Sequence, residues 1–238
     1  MKIFITGGTG FIGSYTVKEL EKQNELLLLT RKKISSNLKT IQGDLSDIEK
    51  WKTKAKKFRP DAAVHLAWQS IPNYDAETSI KNLYYGLELV KTMADIGCRT
   101  FLSTGSCWEY GRQKGKLSEG MAVRPYNAFS AAKNALHWLG AEIAKGKNMN
   151  FIWTRLFYVY GPGQKGTSLI PYLIKCAKNK SKPEIKNPSA RNDFVYVGDV
   201  ARAITMILEK YRKSTMYNLG TGKSTSIREV AKAVYGEL

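Results

Sequence analysis

Three glycines near the start of the chain have the spacing of a turn that binds a diphosphate. Gly7, Gly10 and Gly13 lie in the segment TGGTGFIG, between an apolar run and an amphipathic helical pattern. Glycines allow a tight turn and a close approach of the backbone, while a helix N-terminus offers free N–H groups and a positive dipole to an anion. The segment therefore predicts a dinucleotide site in which these glycines, together with Phe11 and Ile12, contact the pyrophosphate.

The residues that follow the second apolar run indicate which dinucleotide to expect. NAD sites usually place a carboxylate there against the ribose 2′-hydroxyl, whereas NADP sites place an arginine against the 2′-phosphate. Here the run ends with Thr30, Arg31 and Lys32 and has no carboxylate, so NADP(H) is predicted over NAD(H). Asp44 and Leu45 follow another predicted strand and are expected to contact the adenine, with a simple turn role for Asp44 equally open.

A parallel sheet has to position these residues. Apolar runs rich in leucine and β-branched residues alternate with helical patterns up to Leu156, as expected for strands that are buried on both faces. The order predicts an α/β fold, a Rossmann-type doubly wound parallel sheet. The predicted strands cover 2–6, 25–30, 61–67, 99–104 and 150–156, and the predicted helices cover 11–22, 46–58, 82–97 and 128–145.

The composition changes after Leu156, where glycine, proline, serine and lysine become frequent and predict loops around a helix at 168–178. The later elements are a helix at 197–211, a strand at 215–220 and a helix from Ser226. We expect a dinucleotide-binding domain and a small substrate-binding cap. The first covers 1–157 with 197–212, and the second covers 158–196 with 213–238.

Composition and charge exclude several classes of protein. A chain of 238 residues, 43% of them hydrophobic, can bury a substantial core. The net charge of +18 comes from scattered cations without a motif that reads bases, so we expect small anionic ligands and no nucleic acid. No apolar run is long enough for a membrane span and no signal peptide is visible, so a cytoplasmic location is expected. The three cysteines lack the spacing of a disulfide framework or a metal site.

A series of motifs then extends over essentially the whole chain. In order, they are TGGTGFIG, GDLSD, VHLAW, STGSCWEYG, PYNAFSAAK, RLFYVYGPGQ, NDFVYVGDVARAI and YNLGTGKSTSIREVA. In this order they resemble the extended short-chain dehydrogenase/reductases of the NAD-dependent epimerase/dehydratase family. The resemblance implies a dinucleotide-binding Rossmann domain that acts on nucleotide-linked sugars by 4-keto reduction, epimerisation or dehydration.

The resemblance also implies an active site made of a hydroxyl, a tyrosine and a lysine. It assigns the hydroxyl to Ser106, with Thr104 as a second candidate, and the lysine to Lys133, which in the family binds the nicotinamide ribose and lowers the pKa of the tyrosine. At the tyrosine position this chain has Phe129, which shares a helix face with the lysine. Phenylalanine can neither give nor take a proton, and loss of a general acid typically lowers a rate about 10²–10⁴-fold.

Three explanations of Phe129 remain open. The chain is an engineered Tyr→Phe variant made to trap a ligand, or a natural catalyst that uses another proton donor, or a dinucleotide-binding protein without catalysis. For the second explanation, the candidate donors are Tyr126, Ser106 and a water molecule.

Other motif positions bear on the reaction and the substrate. Cys107 and Trp108 occupy the places where family dehydratases have an Asp-Glu pair, so dehydration is disfavoured, and a surface or loop role is expected for Glu109. The NADP preference favours a reductase, with an epimerase as the alternative. Arg191 lies near the position of a diphosphate-binding arginine, although a loop salt bridge is equally open.

The resemblance implies a few further contacts and a partner. Trp68 joins Cys107, Trp108 and Arg191 as a predicted substrate contact, while Leu66, Ala67 and Lys133 are predicted cofactor contacts. Asn82 is expected to support the active-site lysine. A homodimer is expected through the helices at about 78–96 and 127–145.

Overall fold

The computed structural model describes residues 1–34, 37–210 and 214–236. Most of its strands form one sheet of seven parallel strands, with the order β3-β2-β1-β4-β5-β6-β9. These strands are β1 (Lys2–Thr6), β2 (Glu25–Thr30), β3 (Lys39–Gln42), β4 (Ala62–His65), β5 (Thr100–Ser106), β6 (Asn150–Leu156) and β9 (Thr215–Leu219). The predicted Rossmann-type parallel sheet is confirmed.

Helices cover both faces of this sheet. Those that do so are α1 (Phe11–Leu20), α2 (Glu49–Phe58), α3 (Ala76–Asp95), α4 (Ala128–Gly146) and α6 (Val197–Lys210), whereas α5 (Leu169–Lys178) and α7 (Ile227–Tyr235) contact each other. One buried cluster joins the sheet to α2, α3 and α4, through residues such as Trp51, Leu89 and Leu136. A second cluster joins the opposite face to α1 and α6, through residues such as Val17 and Ile204. None of the described helices combines the length and apolar character that crossing a bilayer requires.

The helix α3 begins six residues before the predicted start at residue 82. Its N-cap is Asp75, whose carboxylate accepts a hydrogen bond from the backbone N–H of Thr78 at 2.7 Å. This cap satisfies one of the free N–H groups of the first turn and so fixes where the helix begins. The segment between β4 and α3 therefore covers residues 66–75 and ends at this cap.

A second, smaller sheet lies where the sequence predicted loops. It contains β7 (Tyr158–Tyr160), β8 (Arg191–Tyr196) and β10 (Ser224–Ser226), in the order β10-β8-β7. Two of these strands have only three residues each, so their pairing with distant segments, and not a local pattern, makes them strands.

One strand differs from the predicted division of the chain. We expected 213–238 to belong to the substrate-binding cap, but β9 pairs with β6 at the edge of the large sheet. The reason is its apolar end, because Leu219 is buried against the core that also contains Ile152 and Leu156. The rest of the predicted division stays a prediction.

Candidate active site

The glycine turn after β1 has the geometry of a cradle for a diphosphate. Gly7 has a positive φ of 74°, and a Cβ on it would lie 2.5 Å from the backbone nitrogen of Ala67. A Cβ on Gly13 would lie 2.0 Å from the carbonyl oxygen of Gly7. Gly10 is the N-cap of α1 and supplies no side-chain cap, so the N–H groups of the first turn remain available to an anion. A dinucleotide pyrophosphate fits this turn.

A cavity of about 310 Å³ opens beside this turn, at the carboxyl ends of β1, β2 and β4. Nine predicted contact residues line it: Gly7, Gly10, Thr30, Arg31, Asp44, Leu45, Leu66, Ala67 and Trp68. The lining does not include the predicted contacts Phe11, Ile12, Gly13, Lys32 and Lys133. The sequence interpretation missed Thr6, Thr9, Leu29, Gly43 and Gln69, although four of them lie within or next to its motifs.

The end of β2 presents a cation to this cavity. Arg31 is exposed there, and the hydroxyl of Thr30 donates to the carbonyl oxygen of Lys32 at 2.7 Å, which curves the chain away after the strand. Asp44 is the acid among the described lining residues. Its carboxylate accepts the backbone N–H of Ser46 at 2.8 Å, so the turn role left open for this residue is present.

Lys133 is held by the first turns of α4. The side chain of Asn127 caps this helix by accepting the N–H of Ser130 at 2.8 Å, which fixes the helical register. The Lys133 amine is buried. It donates to the carbonyl oxygen of Thr104 at 2.6 Å and lies 3.9 Å from the ring centroid of Trp68. Burial also lowers the pKa of Lys133 to about 7.

Phe129 lies one helical turn before the lysine, inside a group of aromatic rings. Its ring centroid is 5.5 Å from that of Trp68, 5.1 Å from that of Tyr74 and 5.9 Å from that of Trp108. The Lys133 amine lies 6.0 Å from the centre of the Phe129 ring. The position expected to hold the proton donor is therefore filled by an apolar ring that packs well.

Ser106 ends β5 and caps a single turn of 3₁₀ helix, Cys107–Tyr110. Its hydroxyl oxygen accepts the N–H of Trp108 at 3.2 Å, and its side chain also lies within hydrogen-bonding reach of the Cys107 thiol. Its own backbone N–H donates to the carboxylate of Glu109 at 2.8 Å. Thr104, the second candidate for the hydroxyl role, is buried, and its carbonyl oxygen is the acceptor for Lys133.

The expectation of a surface or loop role for Glu109 is wrong. Its carboxylate is completely buried, and it accepts the Nε–H of Arg155 at 2.9 Å and the indole N–H of Trp153 at 3.2 Å. Arg155 is itself buried on β6. A buried cation inside the apolar segment NFIWTRL needs an anionic partner, and this need was the signal in the sequence that could have located Glu109.

A larger cavity of about 470 Å³ lies between the end of β5, the start of α4 and the small sheet. Ser106, Cys107, Trp108 and Phe129 line it, as do Tyr74, Tyr158 and Tyr160. None of its described lining residues has a charged side chain, since its polar members are hydroxyls, amides and one thiol. Burial raises the pKa of that thiol, on Cys107, to about 12, so it stays neutral and does no acid–base chemistry at neutral pH.

Arg191 lies on β8 but is not among the residues that line this cavity. Its guanidinium donates to the carbonyl oxygen of Ser224 at 2.6 Å and forms an ion pair with Glu229 at 3.2 Å. The salt bridge left open for this residue is thus present, and its contact with a substrate stays a prediction.

Asn82 supports the site from α3. Its side-chain oxygen accepts the backbone N–H of Gln69 at 2.6 Å, and its side-chain N–H donates to the carbonyl oxygen of Thr78 at 2.8 Å. It therefore holds the segment that begins with Trp68, the residue whose ring lies against the Lys133 amine. Asn82 thus reaches the lysine only through this segment, and its support of Lys133 stays a prediction.

Known proteins share both the sequence pattern and this architecture. Residues 3–220 match the NAD dependent epimerase/dehydratase family. The chain is a member of this family. It is 24% identical to dTDP-6-deoxy-L-talose 4-dehydrogenase (NAD(+)) of Aggregatibacter actinomycetemcomitans over 246 residues, which cover 100% of this chain and 90% of that protein.

One further relative and one solved structure carry the name of a 4-epimerase. UDP-glucose 4-epimerase of Lactobacillus helveticus is 27% identical, over 99% of this chain and 82% of its own length. The crystal structure of UDP-N-acetylglucosamine 4-epimerase from Bacillus cereus superposes with a TM-score of 0.90 at 22% identity and covers 100% of this chain and 82% of its own. The fold of this family member is therefore that of the solved epimerases.

Proposed function

We propose that this family member reduces the 4-keto group of a nucleotide-linked sugar with NADPH. The observation that carries the proposal is a series of contacts that joins the two cavities. Trp68 lines the cavity beside the glycine cradle and lies against the Lys133 amine, and Phe129, which packs on the same Trp68 ring, lines the uncharged aromatic cavity together with Ser106. When bound, a dihydronicotinamide supplies a hydride to a carbonyl carbon. The chain's own residues bind it, orient the ketone and hold the proton that the ketone oxygen takes.

Each of these residues has a task that its surroundings allow. The O–H of Ser106 can donate to the ketone oxygen in place of the Cys107 thiol, because its oxygen already accepts the Trp108 N–H and a thiol is a weak acceptor. Lys133 is fixed by the Thr104 carbonyl and the Trp68 ring, with its remaining N–H groups free to bind ribose hydroxyls. Phe129 supplies no proton, so turnover by the chain as it stands depends on another donor.

The cavity favours a sugar with few charges. Its aromatic walls suit the apolar C–H faces and methyl group of a 6-deoxy sugar. A uronic acid would bury a carboxylate among described lining residues that offer no cation. The relative named dTDP-6-deoxy-L-talose 4-dehydrogenase supports both the deoxy sugar and redox chemistry at position 4.

A sugar-nucleotide 4-epimerase is the second candidate, because the UDP-glucose 4-epimerase of Lactobacillus helveticus is a relative over 99% of this chain. A third candidate is a protein that binds NADP without catalysis, which Phe129 favours. The three differ in stoichiometry: a reductase consumes one NADPH per sugar, an epimerase consumes none, and a binding protein leaves the sugar unchanged.

Two assays test the proposal: NADPH oxidation with the 4-keto derivative of dTDP-6-deoxy-L-talose, and epimerisation of UDP-glucose. Both are run on the chain as it stands and on Phe129→Tyr. Oxidation of NADPH that matches the sugar reduced supports the proposal. Interconversion of epimers without net NADPH loss overturns it in favour of the epimerase, and dinucleotide binding without turnover in either form overturns it in favour of the binding protein.

Cofactor choice gives a separate prediction. Arg31→Ala should weaken NADPH binding about 10- to 100-fold, the loss expected for one charge-assisted hydrogen bond to the 2′-phosphate, and should leave NADH binding nearly unchanged. Fluorescence titration of both dinucleotides measures this. Lys54→Ala removes an exposed charge from α2 and is the matched control. Equal weakening of both dinucleotides would contradict a 2′-phosphate contact, and the relative named as NAD(+)-dependent makes this test necessary.

We also propose that the family member forms a homodimer through α3 and α4. Ile80, Tyr84, Trp138 and Leu139 on these helices are each more than half exposed, which is unusual for side chains of this size. Trp138→Glu should convert a dimer to a monomer in sedimentation velocity, because it puts a charge in the buried face. The control is Met206→Glu on α6, and a monomeric parent chain would overturn the proposal.

The cytoplasmic location stays a prediction.

A further inference from the structure

One tyrosine packs directly against the ring that occupies the proton donor's position. Tyr74 belongs to the short segment between β4 and α3, and it lines the larger cavity together with Ser106 and Phe129. Its ring centroid lies 5.1 Å from that of Phe129 and 5.1 Å from that of Trp108. A phenol is thus present in the same cavity, one ring away from the missing hydroxyl.

The hydroxyl of Tyr74 is available for chemistry. The structure gives it no hydrogen-bond partner within the described residues, whereas the hydroxyl of Tyr158, in the same cavity, accepts the indole N–H of Trp108 at 3.3 Å. Partial burial raises the pKa of Tyr74, so its phenol stays protonated at neutral pH. It can therefore act as an acid there.

We propose that Tyr74 donates the proton for ketone reduction in this chain, in the role that a tyrosine at the position of Phe129 would have. The inference rests on the proposed function. In the step, the carbonyl carbon gains a hydride from the dihydronicotinamide, and the π electrons of the C=O bond move to oxygen. That oxygen takes the phenolic proton of Tyr74, so the ketone becomes a secondary alcohol, and the tyrosinate recovers its proton from water.

The other candidate donors fit less well. Tyr126 is 45% exposed and is not among the residues that line the cavity. Ser106 lines the cavity, but an aliphatic hydroxyl is a much weaker acid than a phenol. The ring of Tyr158 lies against Phe194, with centroids 5.8 Å apart, and not against Phe129. Tyr74 alone among these side chains combines a cavity position, a phenol and contact with Phe129.

The raised pKa of Tyr74 suits reduction of the ketone better than oxidation of the alcohol. A phenol whose pKa is raised gives up its proton only to a strong base such as an alkoxide, and it is seldom ionised at neutral pH. It therefore serves reduction, which needs an acid, better than oxidation of an alcohol, which needs a base. Epimerisation requires both steps, so Tyr74 favours a reductase.

The experiment compares Tyr74→Phe, Tyr126→Phe and Tyr158→Phe in two backgrounds, the chain as it stands and Phe129→Tyr. The assay is NADPH oxidation with the 4-keto derivative of dTDP-6-deoxy-L-talose. In the first background Tyr74→Phe should lower kcat about 10²-fold or more, with KM and NADPH affinity nearly unchanged, and with a larger loss than in Tyr126→Phe or Tyr158→Phe. In the second background the same change should have an effect below about threefold, because the restored hydroxyl makes the donor redundant.

A second measurement does not depend on turnover. Binding of dTDP-6-deoxy-L-talose without any dinucleotide should perturb the ultraviolet absorbance of tyrosine in the parent chain, and Tyr74→Phe should reduce that difference signal more than Tyr158→Phe does, while binding persists.

The inference is overturned by equal losses in both backgrounds, by a difference signal that Tyr74→Phe leaves unchanged, or by turnover in Phe129→Tyr with none in the parent chain. Absence of turnover in both backgrounds instead overturns the proposed function, so the two failures are distinguishable.

Discussion

Phe129→Tyr is expected to raise the kcat of NADPH-dependent ketone reduction about 10²–10⁴-fold, the range for gain of a general acid. The new hydroxyl would extend from a ring that already packs against Trp68, Tyr74 and Trp108. The Lys133 amine lies 6.0 Å from the centre of that ring, so its positive form would lower the pKa of the introduced phenol and make it a better donor.

The size of this gain separates the three explanations of Phe129. A gain in kcat of about 10⁴-fold, from a nearly inactive parent chain, is expected if a Tyr→Phe exchange removed the only proton donor. A gain near the lower end, from a parent with measurable turnover, is the result expected if Tyr74 already supplies the proton. No turnover in either form identifies a binding protein.

A matched control is Phe194→Tyr. Phe194 lines the same cavity, but its neighbour is Tyr158, not Lys133. A comparable gain in this variant would contradict the idea that the position beside the lysine is special. NADPH titration of every variant establishes that differences in kcat do not arise from lost cofactor binding.

Much of the lining of the cavity beside the glycine turn was predictable because its determinants are local. The strand β1, the turn through Gly7 and Gly10, and the start of α1 follow one another within one short segment, so the pattern of residue types specifies the geometry. The same holds for Phe129 and Lys133, which share one face of α4 because they are one helical turn apart. The residues of such segments are close in sequence, so the local backbone geometry places them and tertiary packing changes that placement little.

The larger aromatic cavity was less predictable because distant segments build it. Tyr74 contacts Phe129 from the segment that ends at Asp75, the cap of α3, and the two rings are 55 positions apart in the chain. The strands β7, β8 and β10 exist through mutual pairing of segments that are far apart in the chain. Glu109 meets Arg155 across a separation of 46 residues, and no periodicity in either segment announces that contact.

The ion pair between Glu109 and Arg155 gives the second large prediction. Glu109→Gln should lower the free energy of unfolding by about 3–5 kcal/mol, because removing one partner of a buried pair leaves the other charge unpaired. Both side chains are at most 2% exposed, so solvent cannot replace the lost partner. Urea denaturation at equilibrium measures the difference. Glu77→Gln, which breaks an exposed pair with Lys81 on α3, should produce no measurable change.

The same variant should also damage the site, because the Glu109 carboxylate accepts the backbone N–H of Ser106. A double variant separates the two effects. Glu109→Gln with Arg155→Met removes the unpaired cation and should recover a large part of the stability, since an apolar replacement of a buried pair is often neutral. Turnover should recover less, because the neutral amide binds the Ser106 N–H more weakly than a carboxylate. Full recovery of both would mean that Glu109 serves stability alone, and failure to recover stability would mean that its bonds to Trp153 and Ser106 matter more than the charge pair.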